Sequence, residues 1–324
     1  MPRPSSHDNA GRNLPANTGV YCLGNDEFIE WFEMFARSLR HFNPDLPLTV
    51  IPYDTRVQRL KQLEKQFNFT LLPESEVSGF DALEPKVMNM GRYAGMFRKW
   101  ASFFGPYETF IFLDADIAVT MPLDGLFAAF KKSRNDLVYF DTDITNAYAF
   151  EAIAEMQEKY HSPGFNAGTF LSRKGVVTKE LLWSVAEAAA KDRHKLKLNH
   201  VDQPFLNYVF DTLLRRTAHH ITLMPELAKA PWARAGFRYD ARRDRMIDAE
   251  DRIMPFIHWA GCHYLNMVRP EIFLKYRTLG LSVPQQIRCR LDFFHRRWKR
   301  KIKTVLLKNK GAAAFVEWRE KRKQ

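Results

Sequence analysis

The sequence of 324 residues predicts an α/β fold, a mostly parallel sheet with helices on both faces. Two observations lead to this prediction. Short apolar segments alternate along the chain with segments of helical periodicity, and most apolar segments end in glycine or polar residues. Hydrophobic residues make up 46% of the chain and aromatic residues 14%, which is enough for a sizeable core. Because ligands of such sheets bind at the carboxyl ends of the strands, the polar residues there are the first candidates for function.

The first strand–helix–strand unit is predicted near the amino terminus. An apolar run over residues 19–26 is followed over 28–42 by aromatic and leucine residues at helical spacing, and a β-branched run closes the unit at 46–54. The next helix is expected over 57–67 and a short strand over 69–74.

The same alternation continues through the rest of the chain. A helix is expected over about 91–104, and an almost continuous apolar strand over 109–119. Later strands or strand ends are expected in the segments 137–143, 165–175, 221–225 and 256–261, and helices over 179–191 and 202–210.

Composition divides the chain into three parts. We expect a short disordered leader over residues 1–17, an α/β domain over 18–282 and a basic tail over 283–324. The leader lacks the apolar stretch of a secretory signal, and no apolar run approaches the roughly 20 residues that span a bilayer. The three cysteines are scattered, which favours a reducing compartment over a disulfide-stabilised protein. A cytoplasmic location is therefore expected.

The tail carries nearly all of the net charge of +12. Residues 285–324 contain 14 Lys and Arg residues against three acids, a charge of +11. Six apolar residues recur there at steps of three and four: Ile287, Leu291, Phe294, Trp298, Ile302 and Val305. This pattern is typical of an amphipathic helix lying on an anionic membrane surface, so peripheral attachment is expected. Alternatively, the stripe packs on the domain; nucleic acid is not expected as a partner, because no RNA-binding motif or recognition-helix pattern accompanies the charge.

The strongest functional motif is Asp114-Ala115-Asp116, which follows directly on an apolar strand. Carboxylate oxygens are the ligands that Mg²⁺ and Mn²⁺ prefer, and these ions bridge to phosphate oxygens. Without such a role the two acids would cap a turn or pair with a surface arginine. Asp141-Thr142-Asp143 is a second copy of the pattern, and we favour the first because of the residues around it.

A phosphatase of the haloacid dehalogenase type also places Asp-x-Asp after an apolar strand. Such an enzyme normally continues with Gly-Thr, whereas this chain has Ile117-Ala118. The motif also tends to open that fold, whereas here a complete strand–helix–strand unit precedes it. The phosphatase is therefore the weaker alternative.

Six loose motifs in a fixed order make the chain resemble the GT-A glycosyltransferases, especially the retaining family eight. They are the strand ending in Gly24-Asn25-Asp26, the helix around Lys99, the Asp114-x-Asp116 motif, and the segments 165–170, 200–207 and 256–261. The resemblance implies a metal-dependent enzyme with a GT-A domain over 18–282. It would transfer a sugar from a nucleotide-diphosphate donor, expected to be a UDP-sugar, to a glycan or lipid-linked acceptor with retention.

The resemblance also implies roles for single residues at the metal. Asp114 and Asp116 would bind Mn²⁺ or Mg²⁺, and His258 would complete the metal shell. A lone histidine of this kind is otherwise more often a structural residue of the core.

The donor would contact residues from several segments. By resemblance, Gly24, Asn25 and Asp26 hold the base and ribose, although an ordinary helix-capping turn has the same composition. Lys99 would reach the donor, with Arg92 as a further candidate; Arg98 beside Lys99 points about 100° away on a helix, so only one of that pair is expected to face the site.

The resemblance also implies roles at the donor sugar for two further pairs of residues. Asn166 would hydrogen-bond the sugar and Gly168 would allow close backbone approach. Asp202 and Gln203 would lie under the reacting carbon, where we favour stabilisation of an oxocarbenium-like transition state over a covalent nucleophile. The structural alternative for Asp202 is a helix cap.

One position departs from the family pattern. Relatives carry a lysine that binds the diphosphate three residues after the glycine that corresponds to Gly261, and this chain has Tyr264 there. Either His263, Arg269 or another basic group replaces that lysine, or the diphosphate is held less tightly. A non-catalytic relative that only binds sugar nucleotides is the corresponding alternative.

Overall fold

A computed structural model of the chain describes residues 16–242 and 245–321. Its strands are β1 (Thr18–Gly24), β2 (Leu48–Pro52), β3 (Thr70–Leu71), β4 (Thr109–Leu113), β5 (Ile117–Val119), β6 (Leu137–Tyr139), β7 (Thr169–Arg173), β8 (Thr217–His219), β9 (Phe237–Asp240), β10 (Arg245–Asp248) and β11 (Phe256–His258). Its helices are α1 (Ile29–Phe42), α2 (Gln58–Gln62), α3 (Glu64–Phe67), α4 (Glu74–Val77), α5 (Leu83–Val87), α6 (Ala94–Phe97), α7 (Asp124–Lys132), α8 (Ile153–Tyr160), α9 (Lys179–Lys191), α10 (Gln203–Thr212), α11 (Pro270–Arg277) and α12 (Val283–Lys321).

Seven strands form the central sheet in the order β3-β2-β1-β4-β7-β6-β8. Only β7 runs antiparallel to its neighbours, β4 and β6, and the other pairs are parallel. The predicted mostly parallel α/β sheet is confirmed.

The two faces of the sheet pack against separate apolar cores. Along β4, Ile111 and Leu113 lie in one core while Phe110 and Phe112 lie in the other, because alternate side chains of a strand point to opposite faces. Helix α1 covers the first face, and α9 and α10 cover the second. A strand buried on both faces explains why β4 is apolar throughout.

Some predicted elements differ from those observed. The strand expected over 109–119 breaks after Leu113, and β5 leaves the sheet to pair with β11. The helix expected over 91–104 begins at Ala94 and tightens into a 3₁₀ turn, because Gly91 and Tyr93 both have positive φ. The segment 57–67 forms two short helices, and 220–222 is a 3₁₀ turn that follows β8.

The predicted leader and tail extend beyond the described residues. Apart from residues 16 and 17, the expected leader over 1–17 lies outside them, as do residues 322–324 of the tail. Helix α12 begins at Val283 and docks on the domain through Phe293, which packs on Phe273 of α11. Among the helices described, none combines the length and hydrophobicity that a membrane crossing requires.

The apolar stripe of α12 faces away from the domain. Its side chains are between 38% and 67% exposed: Ile287, Leu291, Phe294, Trp298, Ile302 and Val305. The alternative in which this stripe packs on the domain therefore does not hold.

Candidate active site

The end of β4 places two carboxylates beside a histidine from a distant part of the chain. After Leu113 the chain turns, with the Ile117 N–H donating to the Asp114 carbonyl at 3.2 Å. Strand β5 then pairs antiparallel with β11, with Ile117 opposite His258. The Trp259 N–H also donates to the Asp116 carbonyl at 3.1 Å, so β11 is fixed against the turn.

Asp114, Asp116 and His258 form a cluster suited to a divalent cation. One ligand atom from each lies within 4.8 Å of the others, and His258 Nε2 is 3.2 Å from Asp116 Oδ1. His258 is 2% exposed, and Asp116 Oδ1 is buried with no hydrogen-bond partner among the residues that the structure describes. Two carboxylates and an imidazole are ligands that Mn²⁺ accepts, and a cation would satisfy this buried carboxylate oxygen, which is otherwise costly. The residues therefore fit the metal that the family resemblance implies.

The protonation of the cluster reflects burial and charge together. Burial raises the pKa of Asp114 to about 6, against the opposing effect of Lys99. Burial alone would lower the pKa of His258, but the charges of Asp116 and Asp114 shift it upwards. A buried carboxylate is unfavourable unless a cation lies close to it, so the burial of Asp114 again favours metal binding.

Gly168 allows the cluster to form. It lies just before β7, and its carbonyl accepts the Asp114 N–H at 2.9 Å. A Cβ atom at this position would lie 2.3 Å from Asp114 Oδ2 and 2.8 Å from His258 Cε1. No side chain fits there without moving a metal-ligand candidate.

A buried ion pair lies beside the cluster. Lys99 Nζ is 2.6 Å from Asp202 Oδ2 and donates to the Ala167 carbonyl at 2.9 Å. Both side chains are less than a tenth exposed. Burial alone would lower the pKa of Lys99, but the negative charges of Asp202 and then Asp114 raise it. Asp202 therefore makes an ion pair instead of capping α10. The residue before it, Val201, has a φ of 55°, which is a strained value for a β-branched residue.

Asn166 and Gln203 are joined across the same site. The Asn166 side chain accepts the Gly168 N–H at 2.8 Å and donates to Gln203 Oε1 at 3.4 Å. Behind them Asn207 accepts from the Phe165 N–H and donates to the Phe165 carbonyl, each at 2.8 Å. Helix α10 is thus fixed to the segment that carries Asn166 and Gly168.

These residues line one cleft of about 800 Å³. Its wall includes the metal-site residues Asp114 and His258, the pair Lys99 and Asp202, and Asn166, Gly168 and Gln203. A cleft of this size accommodates a ligand as large as a nucleotide sugar. It lies at the carboxyl end of β4, where the parallel sheet predicts a ligand site.

Comparison with known proteins identifies the family. A family model described as "Glycosyl transferase family 8" matches residues 26–263. The chain belongs to glycosyl transferase family 8. The match decides between the two enzyme classes that the Asp-x-Asp motif left open, in favour of the glycosyltransferase.

Solved structures with the same fold are distant in sequence. The bifunctional glycosyltransferase WbbM aligns with a TM-score of 0.55 at 15% identity, over 88% of this chain and 52% of that one, so this chain spans about half the length of WbbM. The galactosyltransferase LgtC, solved in complex with donor and acceptor sugar analogs, aligns with a TM-score of 0.50 at 16% identity, over 83% and 99%. No curated protein sequence matches the chain. These similarities show the GT-A fold of this family 8 glycosyltransferase.

The predicted nucleotide loop does not line the cleft of the glycosyltransferase. The Asn25 side chain accepts the Glu27 and Phe28 N–H groups ahead of α1, and Asp26 accepts those of Arg59 and Leu60 at α2. Gly24, at the end of β1, is buried between the same helices. These contacts hold the turn between β1 and α1 in place, and the contact of this loop with the nucleotide stays a prediction.

The cations predicted to reach the donor lie in different places. Lys99 lines the cleft, whereas Arg98 turns away to pair with Glu74 and Asp81, as expected for neighbours on one helical turn. Arg92 is exposed, its guanidinium stacks on the ring of Tyr93, and it is not part of the cleft wall.

The second acidic motif has other partners. Asp143 accepts the Thr145 N–H and caps a 3₁₀ turn. Burial raises the pKa of Asp141 to about 6, and the side chain of Trp232 acts on this pKa in the opposite direction. Within the described residues, the first motif is the one that forms a cluster with a histidine.

Tyr264 points away from the cleft of the enzyme. Its hydroxyl accepts from Arg296 of α12, 3.2 Å away, and its ring packs near Phe293. Of the expected substitutes, His263 contacts Arg300 and the Leu265 N–H, and Arg269 donates to the Phe237 carbonyl. None of the three lines the cleft.

Two residues that the sequence did not single out lie in the cleft wall. The ring of Trp232 stacks on the imidazole of His258, with centroids 5.1 Å apart and planes at 18°. Arg234 follows on the same loop. No local motif marks either residue, because the loop is positioned by pairing with β11, far along the chain.

Proposed function

We propose that this family 8 enzyme transfers a sugar from a nucleotide-diphosphate donor, a UDP-sugar, to a glycan or lipid-linked acceptor with retention of anomeric configuration. The observation that carries the proposal is the cluster of Asp114, Asp116 and His258 at the wall of a cleft that also holds Asp202. A divalent cation in this cluster would neutralise charge that develops on the departing diphosphate.

The remaining residues of the cleft would position the sugar. Asn166 and Gln203 offer amide groups for its hydroxyls, and their mutual hydrogen bond holds them in place before the donor binds. Gly168 leaves the space in which the side chains of Asp114 and His258 approach the backbone, so that the metal site can form beside the sugar.

Asp202 would stabilise positive charge at the reacting carbon. Its carboxylate is paired with the buried ammonium of Lys99, 2.6 Å away, so it is held in one orientation. The same pairing makes it a weaker nucleophile, which supports a role as an electrostatic group. Attack by the acceptor from the side of the leaving group would then give retention.

The catalytic proposal is tested by hydrolysis of nucleotide sugars. We expect slow release of the nucleoside diphosphate from a UDP-sugar in the presence of Mn²⁺, and loss of this activity in Asp116→Ala with the circular dichroism spectrum retained. Equal activity in Asp116→Ala, or without any divalent ion, would contradict the metal site. A panel of other nucleotide sugars identifies the donor, and activity with none of them would favour the non-catalytic alternative.

We also propose that α12 attaches the enzyme to an anionic membrane surface, on the cytoplasmic side. Its support is the exposed apolar stripe together with the +11 charge of residues 285–324. Trp298 is 62% exposed on this stripe, and Phe150, at 82%, is an exposed aromatic residue outside α12.

Vesicle binding tests the attachment. With vesicles rich in phosphatidylglycerol, Trp298→Glu should reduce co-sedimentation strongly, whereas Phe150→Glu should leave it unchanged, and added salt should release the wild-type protein. Equal binding by Trp298→Glu and the wild type would contradict the proposal.

A further inference from the structure

The charges lining the cleft leave a donor diphosphate without a balancing cation. A divalent ion bound by Asp114 and Asp116 is neutralised by these two carboxylates, and Lys99 is neutralised by Asp202. The diphosphate of a nucleotide sugar carries two negative charges of its own. Binding it in a partly enclosed cleft therefore calls for a further positive group.

Arg234 is the cation of the cleft wall that has no acidic partner. Its side chain is exposed and contacts Cys262 Sγ at 3.6 Å, and Cys262 lines the same cleft. Within residues 16–242 and 245–321, no carboxylate lies within ion-pair distance of it. Apart from the N–H that contacts Cys262 Sγ, the donors of its guanidinium are available for phosphate oxygens, which this group binds in pairs.

The loop that carries Arg234 is fixed to the metal-site strand. The His258 N–H donates to the Pro231 carbonyl at 2.7 Å, and the Ala233 N–H donates to the His258 carbonyl at 2.9 Å. Trp232, between them, stacks on the imidazole. Arg234 is therefore held at a defined place relative to the metal cluster, which reduces the entropy lost on binding.

Other basic groups near the cleft do not supply this charge. His200 lines the cleft, but burial lowers its pKa, so it is neutral at physiological pH. His263 and Arg269 lie outside the wall with partners of their own.

We propose that Arg234 binds the diphosphate of the donor, taking the place of the lysine that this chain lacks at Tyr264. The inference rests on the proposed function, since it assumes a nucleotide-diphosphate donor. It assigns Arg234 to the diphosphate and not to the base or the acceptor.

The test compares two ligands that differ in the diphosphate. Binding of UDP and of uridine is measured with Mn²⁺ by calorimetry and competition, for the wild type, Arg234→Gln, Arg234→Lys and the control Arg134→Gln, an exposed arginine outside the cleft. Arg234→Gln should weaken UDP binding about tenfold or more, the effect of losing a hydrogen bond to a charged group, and leave uridine binding unchanged. Arg234→Lys should recover part of the loss, and Arg134→Gln should match the wild type.

Three outcomes would overturn the inference. Wild-type affinity for UDP in Arg234→Gln would refute the contact while leaving the proposed function intact. An equal loss for UDP and uridine would show that Arg234 supports the loop rather than the diphosphate. Failure of the wild type to bind any nucleoside diphosphate with Mn²⁺ would refute both proposals.

Discussion

Replacing Gly168 by alanine tests the geometry of the metal site with one methyl group. The backbone of Gly168 lies outside the left-handed region, so alanine can adopt its conformation. The new Cβ would nevertheless lie 2.3 Å from Asp114 Oδ2 and 2.8 Å from His258 Cε1, where carbon contacts below 3.0 Å essentially never occur. The side chains of Asp114 and His258 must both move away from the new methyl group.

The size of the effect follows from the crowding. Inserting a methyl group into a packed site costs about 1–3 kcal/mol. Because the strain falls on two of the three candidate ligands, most of it should appear in metal binding, which corresponds to Mn²⁺ affinity lower by about tenfold to a hundredfold. Donor hydrolysis should fall by at least that factor, because misplacement of catalytic groups by about 1 Å can cost a hundredfold.

Titration calorimetry with Mn²⁺ measures the first effect and a coupled diphosphate assay the second. The matched control is Gly236→Ala, since no atom of the residues that the structure describes lies within 4 Å of a Cβ at that glycine, which also lacks a positive φ. Mn²⁺ affinity and hydrolysis in Gly168→Ala equal to those of Gly236→Ala and the wild type would refute the proposed arrangement.

Three further substitutions test the surrounding structure by chemical denaturation. Lys99→Met should lower the unfolding free energy by about 3–5 kcal/mol, because Asp202 stays buried without its cation; a loss below about 1 kcal/mol would contradict the ion pair. Asn207→Ala should lower the unfolding free energy by about 3 kcal/mol, since the N–H and the carbonyl of Phe165 both lose their partners. An unfolding free energy close to that of the wild type would contradict this. Burial raises the pKa of Asp211 from 3.8 to about 6, so the folded state holds an extra proton between these values and stability falls as pH rises. Asp211→Asn should therefore gain stability relative to the wild type from pH 4 to 6, by at most about 3 kcal/mol, and parallel pH curves would contradict this.

Sequence patterns predict the sheet well where the hydrophobic periodicity of a segment reflects its burial in the fold. The strand–helix–strand unit at the start of the domain is visible because both periodicities are local, and helix α9 was predicted at its observed bounds over Lys179–Lys191. The apolar run over 109–119 gave no sign that β5 leaves the sheet. That departure depends on the turn at Asp114–Asp116 and on pairing with β11, more than 130 residues away, which no local pattern records.

The same distinction applies to the candidate site. Asp114, His258, Asp202 and Lys99 were found because they belong to motifs, and the structure brings them to one cleft. Asp116, from the same motif as Asp114, lies in the cluster with Asp114 and His258. For Asn25 and Asp26 the composition fits both a nucleotide loop and a turn that holds neighbouring helices, and their contacts with the backbone of Glu27 and Leu60 show the second role.

The most direct test of the metal site is its coupling to the nucleotide. Binding of UDP is titrated by calorimetry with and without Mn²⁺, for the wild type and for His258→Ala. If the ion lies between the cluster and the diphosphate, Mn²⁺ should strengthen UDP binding by tenfold or more, a coupling of about 1.4 kcal/mol, in the wild type and far less in the variant. The same UDP affinity with and without Mn²⁺ in the wild type, or an equal effect of Mn²⁺ in His258→Ala, would contradict the proposed metal site.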